Sequence, residues 1–326
     1  MTPENRIGHI EPTPVRVTPT EQPVFDVGND RQRQVLERLE QGFEAAATEE
    51  GMVRWLKTVS KFHDYSLSNT ILIAVQDPEA TQVMGYKKWQ EVGRQVQKGS
   101  TATKIFFPIF GKVPDPDTGE EVRIVRSYGI GNVFDIRHTE GEPLPEHPGK
   151  EAIKALERSD ERAAEVNKRL GWWLIGEGLE VSSEPMHGYK LGYYAPHKNK
   201  VALRQVEGVD PLNVQMTKTL VHEAAHFAAQ HTADMNRGLA EVVAECSAFV
   251  VMDRFGFDTG DYSFTYVAGW ANGDTAVFKQ GMADIKQVSG VLIDAIEHST
   301  PEYVSEPGTW SKFRDDDFGT TCETGQ

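Results

Sequence analysis

An α+β protein in two units is the fold class that the sequence predicts, on three observations. Apolar residues recur at helical spacing near both ends of the chain. A short β-rich stretch interrupts the helical pattern in each half. EHPGK at 146–150, where Pro, Gly and charge cluster, separates the halves as a linker. The length of 326 residues, with 39% hydrophobic and 25% charged, suits one or two domains with full cores.

Taken in order, residues 1–25 hold five prolines and little apolar material, so they are expected to form a tail. A first unit then spans 26–145. It opens with helices through Val35, Leu36, Leu39, Phe43 and Ala47, and through Met52, Val53, Leu56, Val59 and Phe62. A helix from Asn69 to Val75, an Asp-Pro turn and a short helix around Trp89 follow. Strands are expected at Ile105–Phe110 and over IVRSYGIGNVFDI, joined by the turn-rich VPDPDTGEEVRI. The second unit, 146–300, begins with a helix from Glu151 to Leu170. Strands at 177–182 and 192–203 come next, then helices at 213–230, 237–255 and 275–297. Residues 301–326 read as an acidic tail, and no internal repeat is visible.

Composition excludes several classes. No stretch approaches the roughly 18 apolar residues of a membrane span, and the start lacks the apolar centre of a secretion signal. A cytoplasmic location with no membrane partner is therefore expected. Cys246 and Cys322 are the two cysteines, too few for a disulfide framework, and read as thiols in a reducing compartment. A net charge of -15 argues against a protein that coats nucleic acid with its whole surface. Between Gly51 and Lys112, however, nine cations face four acidic residues. The acid lies elsewhere.

The most informative string is VHEAAHF, with His222, Glu223 and His226. Residues four apart share one helix face, so the two imidazoles can present nitrogen to one ion. Glu223, turned about 100° from His222, can reach a water on the ion instead of the ion itself. Catalytic zinc sites take three protein ligands, so a third is needed downstream. LAEVVAECSAFVV places Glu241 and Glu245 four apart on a helix whose other face is apolar. Buried carboxylates are costly unless they coordinate or accept hydrogen bonds. Glu241 is assigned as third ligand and Glu245 as acceptor for a ligating histidine's N–H, although spacing alone lets the two exchange. The chemistry this implies is metal-assisted peptide hydrolysis with Glu223 as general base. GYYAPHKNKVAL could pair with an extended substrate. Tyr193, Tyr194 and His231 are the candidates for oxyanion stabilisation, His231 reading more as a partner of the helix C-terminus.

In the first unit, Tyr86, Lys87, Lys88, Trp89, Arg94, Lys98, Lys104, Phe106 and Phe107 interleave cations with aromatic rings. Single-strand binding needs that combination. Buried rings beneath a solvated lysine face would give the same pattern.

Two sets of motifs carry a family resemblance. YSLSNTILIAVQDPEATQVMGYKKWQEVGRQVQKGSTATKIFFP resembles the N-terminal domain of the ArdC antirestriction proteins. NVFDIRHTEGEPLP is similar to the segment that closes that domain, with His138 where glutamine is common. GYYAPHKNKVAL, TLVHEAAHF, AEVVAECSAF and TYVAGWANGD resemble, in order, the family's metallopeptidase-like domain. The resemblance covers residues 35–297. It implies a small α+β domain that binds single-stranded DNA and a zincin-type second domain, in proteins of plasmids and phages that protect incoming DNA from restriction. By motif position it implies Asn69, Trp89, Arg94 and Lys98 on the DNA side or as domain-defining residues, and the cation–aromatic pattern adds Lys87 on the DNA side. It implies His222, His226 and Glu241 as ligands of zinc, with manganese as the alternative, and an unidentified protein substrate. A regulatory metallopeptidase of the ImmA/IrrE type, cutting a repressor, is the competing reading, and the first unit's motifs speak against it. A metal kept only for stability is disfavoured by Glu223, because a structural site has no use for a base.

Overall fold

The computed structural model describes residues 30–114, 121–144, 148–156, 158–205, 213–230, 237–258 and 274–300. Both expected tails, 1–25 and 301–326, lie outside them. Architecture over the described residues is mixed α+β. Helix α1 (Asp30–Ala46) leads to α2 (Glu49–Lys61), whose first-turn N–H of Gly51 is accepted by the Thr48 hydroxyl at 3.1 Å. Glu49 and Glu50 in its first turn and Lys61 in its last oppose the helix dipole correctly. Helix α3 (Leu67–Gln76) starts from a Ser66 cap.

Strand β1 (Val83–Gly85), helix α4 (Tyr86–Glu91) and β2 (Gln95–Val96) precede a long ribbon, β3 (Thr103–Pro114) and β4 (Glu121–Asp135). The strand order is β1-β4-β3, all antiparallel; β2 pairs separately with β5 (Thr139–Glu140). The ribbon is longer than its apolar run suggested, because the ladder continues through Val113↔Val122, beyond Ile105 and Phe106, which end the buried part of β3.

The helix expected from Glu151 to Leu170 is two, α5 (Pro148–Lys154) and α6 (Ser159–Gly176). Arg162 spans the break, donating to the Leu156 carbonyl at 2.8 Å. Helix α5 takes up half of the expected linker, so EHPGK is not a simple tether. Strand β6 (Glu180–Glu184) starts later than expected, because Glu177 caps α6 and Gly178 turns at φ 86°. The stretch 192–203, expected as one strand, is β7 (Gly192–Ala195) and β8 (Lys200–Arg204). Pro196 begins a single 3₁₀ turn between them and Asn199 closes it at φ 45°. Their sheet runs β6-β8-β7, with β7 at one edge antiparallel to β8. Helices α7 (Val214–Ala228), α8 (Arg237–Arg254) and α9 (Thr275–His298) complete the described chain.

The core does not divide where the chain was expected to. Met52, Trp55, Leu56, Val59 and Ile71 from the first unit belong to one buried cluster with Leu174, Leu220, Phe249 and Ile285. Helices α2 and α3 thus cover the second unit on one side. On the other they cover the ribbon, through Phe62 and Ile73 against Ile105 and Val133, and Leu72 against Phe106. The buried pair Arg254–Glu297 at 2.7 Å adds a polar tie, Arg254 also donating to the Ser60 carbonyl. Among the described residues no helix is long and apolar enough to cross a membrane.

Candidate functional site

Helix α7 carries the H-E-x-x-H residues, and its start is fixed by Asn213, whose side chain accepts from the Met216 N–H at 3.0 Å. Its buried face, Met216, Leu220, Val221, Ala224 and Ala225, locks the helix rotation and leaves His222, Glu223 and His226 on the half-buried side. His222 Nε2 and His226 Nε2 lie 3.2 Å apart. Glu241 Oε2, from α8, is 3.4 Å from the first and 3.8 Å from the second. Four-coordinate zinc with bonds of about 2.0–2.2 Å has ligand-to-ligand edges of roughly 3.3–3.6 Å. Two imidazoles and a carboxylate at such edges suit a first-row divalent ion.

Glu245 occupies a different position. Its Oε2 lies 3.3 Å from His222 Nδ1, and its other oxygen meets Lys218 Nζ at 3.0 Å. The structure therefore brings Glu241, not Glu245, to the two Nε2 atoms. Burial alone would lower the His222 pKa, but the contact with Glu245 and the charges of Glu223, Glu245 and Glu241 outweigh it and raise it. Glu245 would be raised by burial, yet His222 and Lys218 hold it below the usual carboxylate range. Glu223 is pushed up, mainly by burial, against the pull of His222 and of the Tyr194 N–H that its carboxylate accepts.

Strand β7 reaches α7 because residue 192 is glycine: a Cβ there would lie 2.7 Å from the Thr219 methyl. Tyr193 turns its hydroxyl to Glu184, which raises the phenol's pKa. Tyr194 packs its ring on Phe227 at 5.8 Å and gives its backbone N–H to Glu223. His231 and all of TYVAGWANGD except Asp274 lie outside the described residues. Asp274 caps α9. Cys246 is wholly buried, and that burial drives its thiol pKa far up, so it is inert.

In the first unit, three of the five expected DNA-side residues are corrected. Trp89 is 0% exposed and spends its indole N–H on the Phe134 carbonyl at 2.9 Å, so no base can stack on it. Asn69 exchanges both amide groups with the backbone of Phe106, each at 2.9 Å. Buried Arg94 donates to Thr139 and to the Gly141 and Glu142 carbonyls. All three define the domain and do not face solvent. Trp89 thus follows the buried-ring alternative, because burial of a ring depends on what packs over it, which local sequence does not carry. Lys87 and Lys98 are exposed, as a phosphate contact requires.

The ribbon carries exposed apolar side chains. Phe107, Ile109 and Phe110 are exposed at 44%, 42% and 38%. The Phe107 ring lies over Gly129 and Gly131 of the neighbouring strand, so close that a Cβ at 129 would come within 2.5 Å of it. Spacing two glycines by two residues opposite an aromatic, YGIG against IFF, is the sequence signal that could have marked this platform.

Residues 26–134 match the family model of the N-terminal domain of anti-restriction factor ArdC. An uncharacterized protein of Bacillus anthracis is 24% identical over 297 residues, a match covering 79% of this chain and 49% of that protein. The chain thus spans about half the length of that curated relative. Two crystal structures of the antirestriction protein ArdC from plasmid R388 are similar at 17% identity. The metal-free one covers 72% of this chain and 86% of its own, with a TM-score of 0.43. The Mn(II)-bound one covers 83% and 98%, with a TM-score of 0.47. The family match covers about a third of the chain and identifies an ArdC-type N-terminal domain in its first unit.

Proposed function

We propose that this is a DNA-binding antirestriction protein whose second half hydrolyses peptide bonds at a divalent metal, zinc or manganese, and whose first unit holds single-stranded DNA. The observation that carries the reading is the convergence of His222, His226 and Glu241 on one point, with the buried Glu223 on the same helix. A bound ion would polarise the substrate carbonyl and ease deprotonation of water. His222, His226 and Glu241 would hold it, and Glu245 would orient His222 through Nδ1. Glu223, its carboxyl raised by burial and its position fixed by the Tyr194 N–H, would take the proton from water and deliver it to the leaving amine. Edge strand β7 beside this helix offers backbone groups to an extended substrate.

For DNA, the support is the charge and shape of the ribbon. Phe107, Ile109 and Phe110 offer rings and apolar surface. Lys104, Lys112, Arg126, Lys87 and Lys98 supply cations in a protein of net charge -15. The test of the hydrolytic half is Glu223→Gln. Metal-dependent cleavage of a random peptide library by the wild-type chain should fall at least a hundredfold in this variant, with DNA affinity unchanged. Equal cleavage by both would remove Glu223 from the chemistry.

A further inference from the structure

We infer that His63, Asp64 and Asp294 form a second site for a first-row divalent cation, where the turn after α2 meets α9. Nε2 of His63 lies 3.4 Å from Asp64 Oδ1 and 3.4 Å from Asp294 Oδ1, and the three donor atoms fall within 4.8 Å of one another. The imidazole is 7% exposed, whereas the carboxylates stand at 81% and 58%, so a buried nitrogen faces two oxygens at the surface.

Distance bears on two accounts of this cluster. An imidazole hydrogen-bonded to a carboxylate sits at about 2.7–2.9 Å. Ligands of a shared ion sit instead at the edges of its coordination polyhedron, roughly 3.3–3.6 Å for bonds of 2.0–2.2 Å. Both separations here fit a shared ion, and both equal the 3.4 Å between His222 and Glu241. Nδ1 of His63 is buried with no hydrogen-bond partner, so no bond at that nitrogen sets the ring's direction.

Charge points the same way. Two carboxylates converge on one nitrogen, and neither has a Lys or Arg within 4 Å among the described residues. Of the nearby cations, Arg254 is engaged by Glu297 at 2.7 Å, and half-buried Lys286, two turns before Asp294 on α9, feels the charge of both Asp64 and Asp294 from beyond ion-pair distance. One imidazole with two carboxylates suits Zn²⁺, Mn²⁺ or Co²⁺ better than the all-oxygen ions Mg²⁺ and Ca²⁺. The turn and Asp253, Arg254 and Lys61 border a cleft of about 830 Å³ open to solvent, which gives an ion a way in. Held there, the ion would join the end of α2 to α9 and stabilise that seam by mass action.

The site is independent of the His222 centre, and its test separates the two. Zn²⁺ uptake by the full chain is measured by equilibrium dialysis with elemental analysis. Two equivalents are expected for the wild type, one for Asp294→Asn, one for His222→Ala/His226→Ala, and none for the triple variant. Asp294 is exposed, so its substitution should leave the circular dichroism unchanged. As a second readout, Zn²⁺ should raise the melting temperature of His222→Ala/His226→Ala and lose that effect when Asp294→Asn is added. Equal uptake by wild type and Asp294→Asn, or no uptake by His222→Ala/His226→Ala, overturns the inference.

Discussion

Glu245 holds Nδ1 of His222 at 3.3 Å while Lys218 holds the opposite oxygen of the same carboxylate at 3.0 Å. This two-sided grip fixes the ring so that Nε2, not Nδ1, meets His226 and Glu241. Glu245→Gln keeps the shape and loses the charge. Metal affinity at this centre is expected to fall by about 10–100-fold, the usual effect of losing such a partner. Isothermal titration of the variant with Zn²⁺ measures it, and wild-type affinity would show that Glu245 does not orient the ligand.

Trp89 is a structural residue, and its substitution should behave as one. Trp89→Ala empties a fully buried ring position and abandons the Phe134 carbonyl. A loss of about 3–5 kcal/mol is expected. Urea denaturation gives the value; a stable variant with weakened DNA binding would instead return Trp89 to the DNA side.

Asp135 anchors the end of β4. It accepts from the N–H groups of Thr81 at 2.7 Å, Gln82 at 3.1 Å and Arg137 at 3.0 Å, and from the Arg137 side chain. Burial would raise its pKa, but these donors outweigh burial and hold it below the usual value of 3.8. A depressed carboxylate contributes stability that is fully present above the unfolded value. That contribution is lost as pH falls below about 3.9 toward the folded value. Asp135→Asn should therefore cost about 1.5–3 kcal/mol at pH 7. The gap from wild type should narrow steadily below pH 4 in urea titrations at successive pH values. A constant gap would mean that the charge contributes nothing.

Periodicity made the helices legible. Met52, Leu56 and Val59, and Leu220, Ala224 and Ala225, line buried faces as their spacing implies. VHEAAHF was legible as two candidate ligands on one helix face because one helical turn is a local geometry. Glu241 and Glu245 could not be told apart on the same grounds: four residues apart, they differ only in how α8 rotates against α7. The break between α5 and α6 falls among residues that favour helix, whereas Pro196 is a local signal for the turn between β7 and β8. Phe107 and Gly129 are 22 positions apart in sequence, and the β3–β4 register alone puts one on the other. Trp89 failed for the opposite reason, since its neighbours in sequence are exposed lysines while its neighbours in space are not.

We propose that the first unit grips single-stranded DNA. Fluorescence anisotropy of a labelled single-stranded oligonucleotide, set against its duplex at low and moderate salt, tests that grip. The wild-type chain should prefer the single strand and weaken as salt rises. Phe107→Ala should bind about 5–150-fold less tightly, as loss of one stacked base predicts. Gly129→Val, which displaces the ring, should follow it. Absence of binding at low salt, or equal affinity for wild type, Phe107→Ala and duplex, would contradict the account.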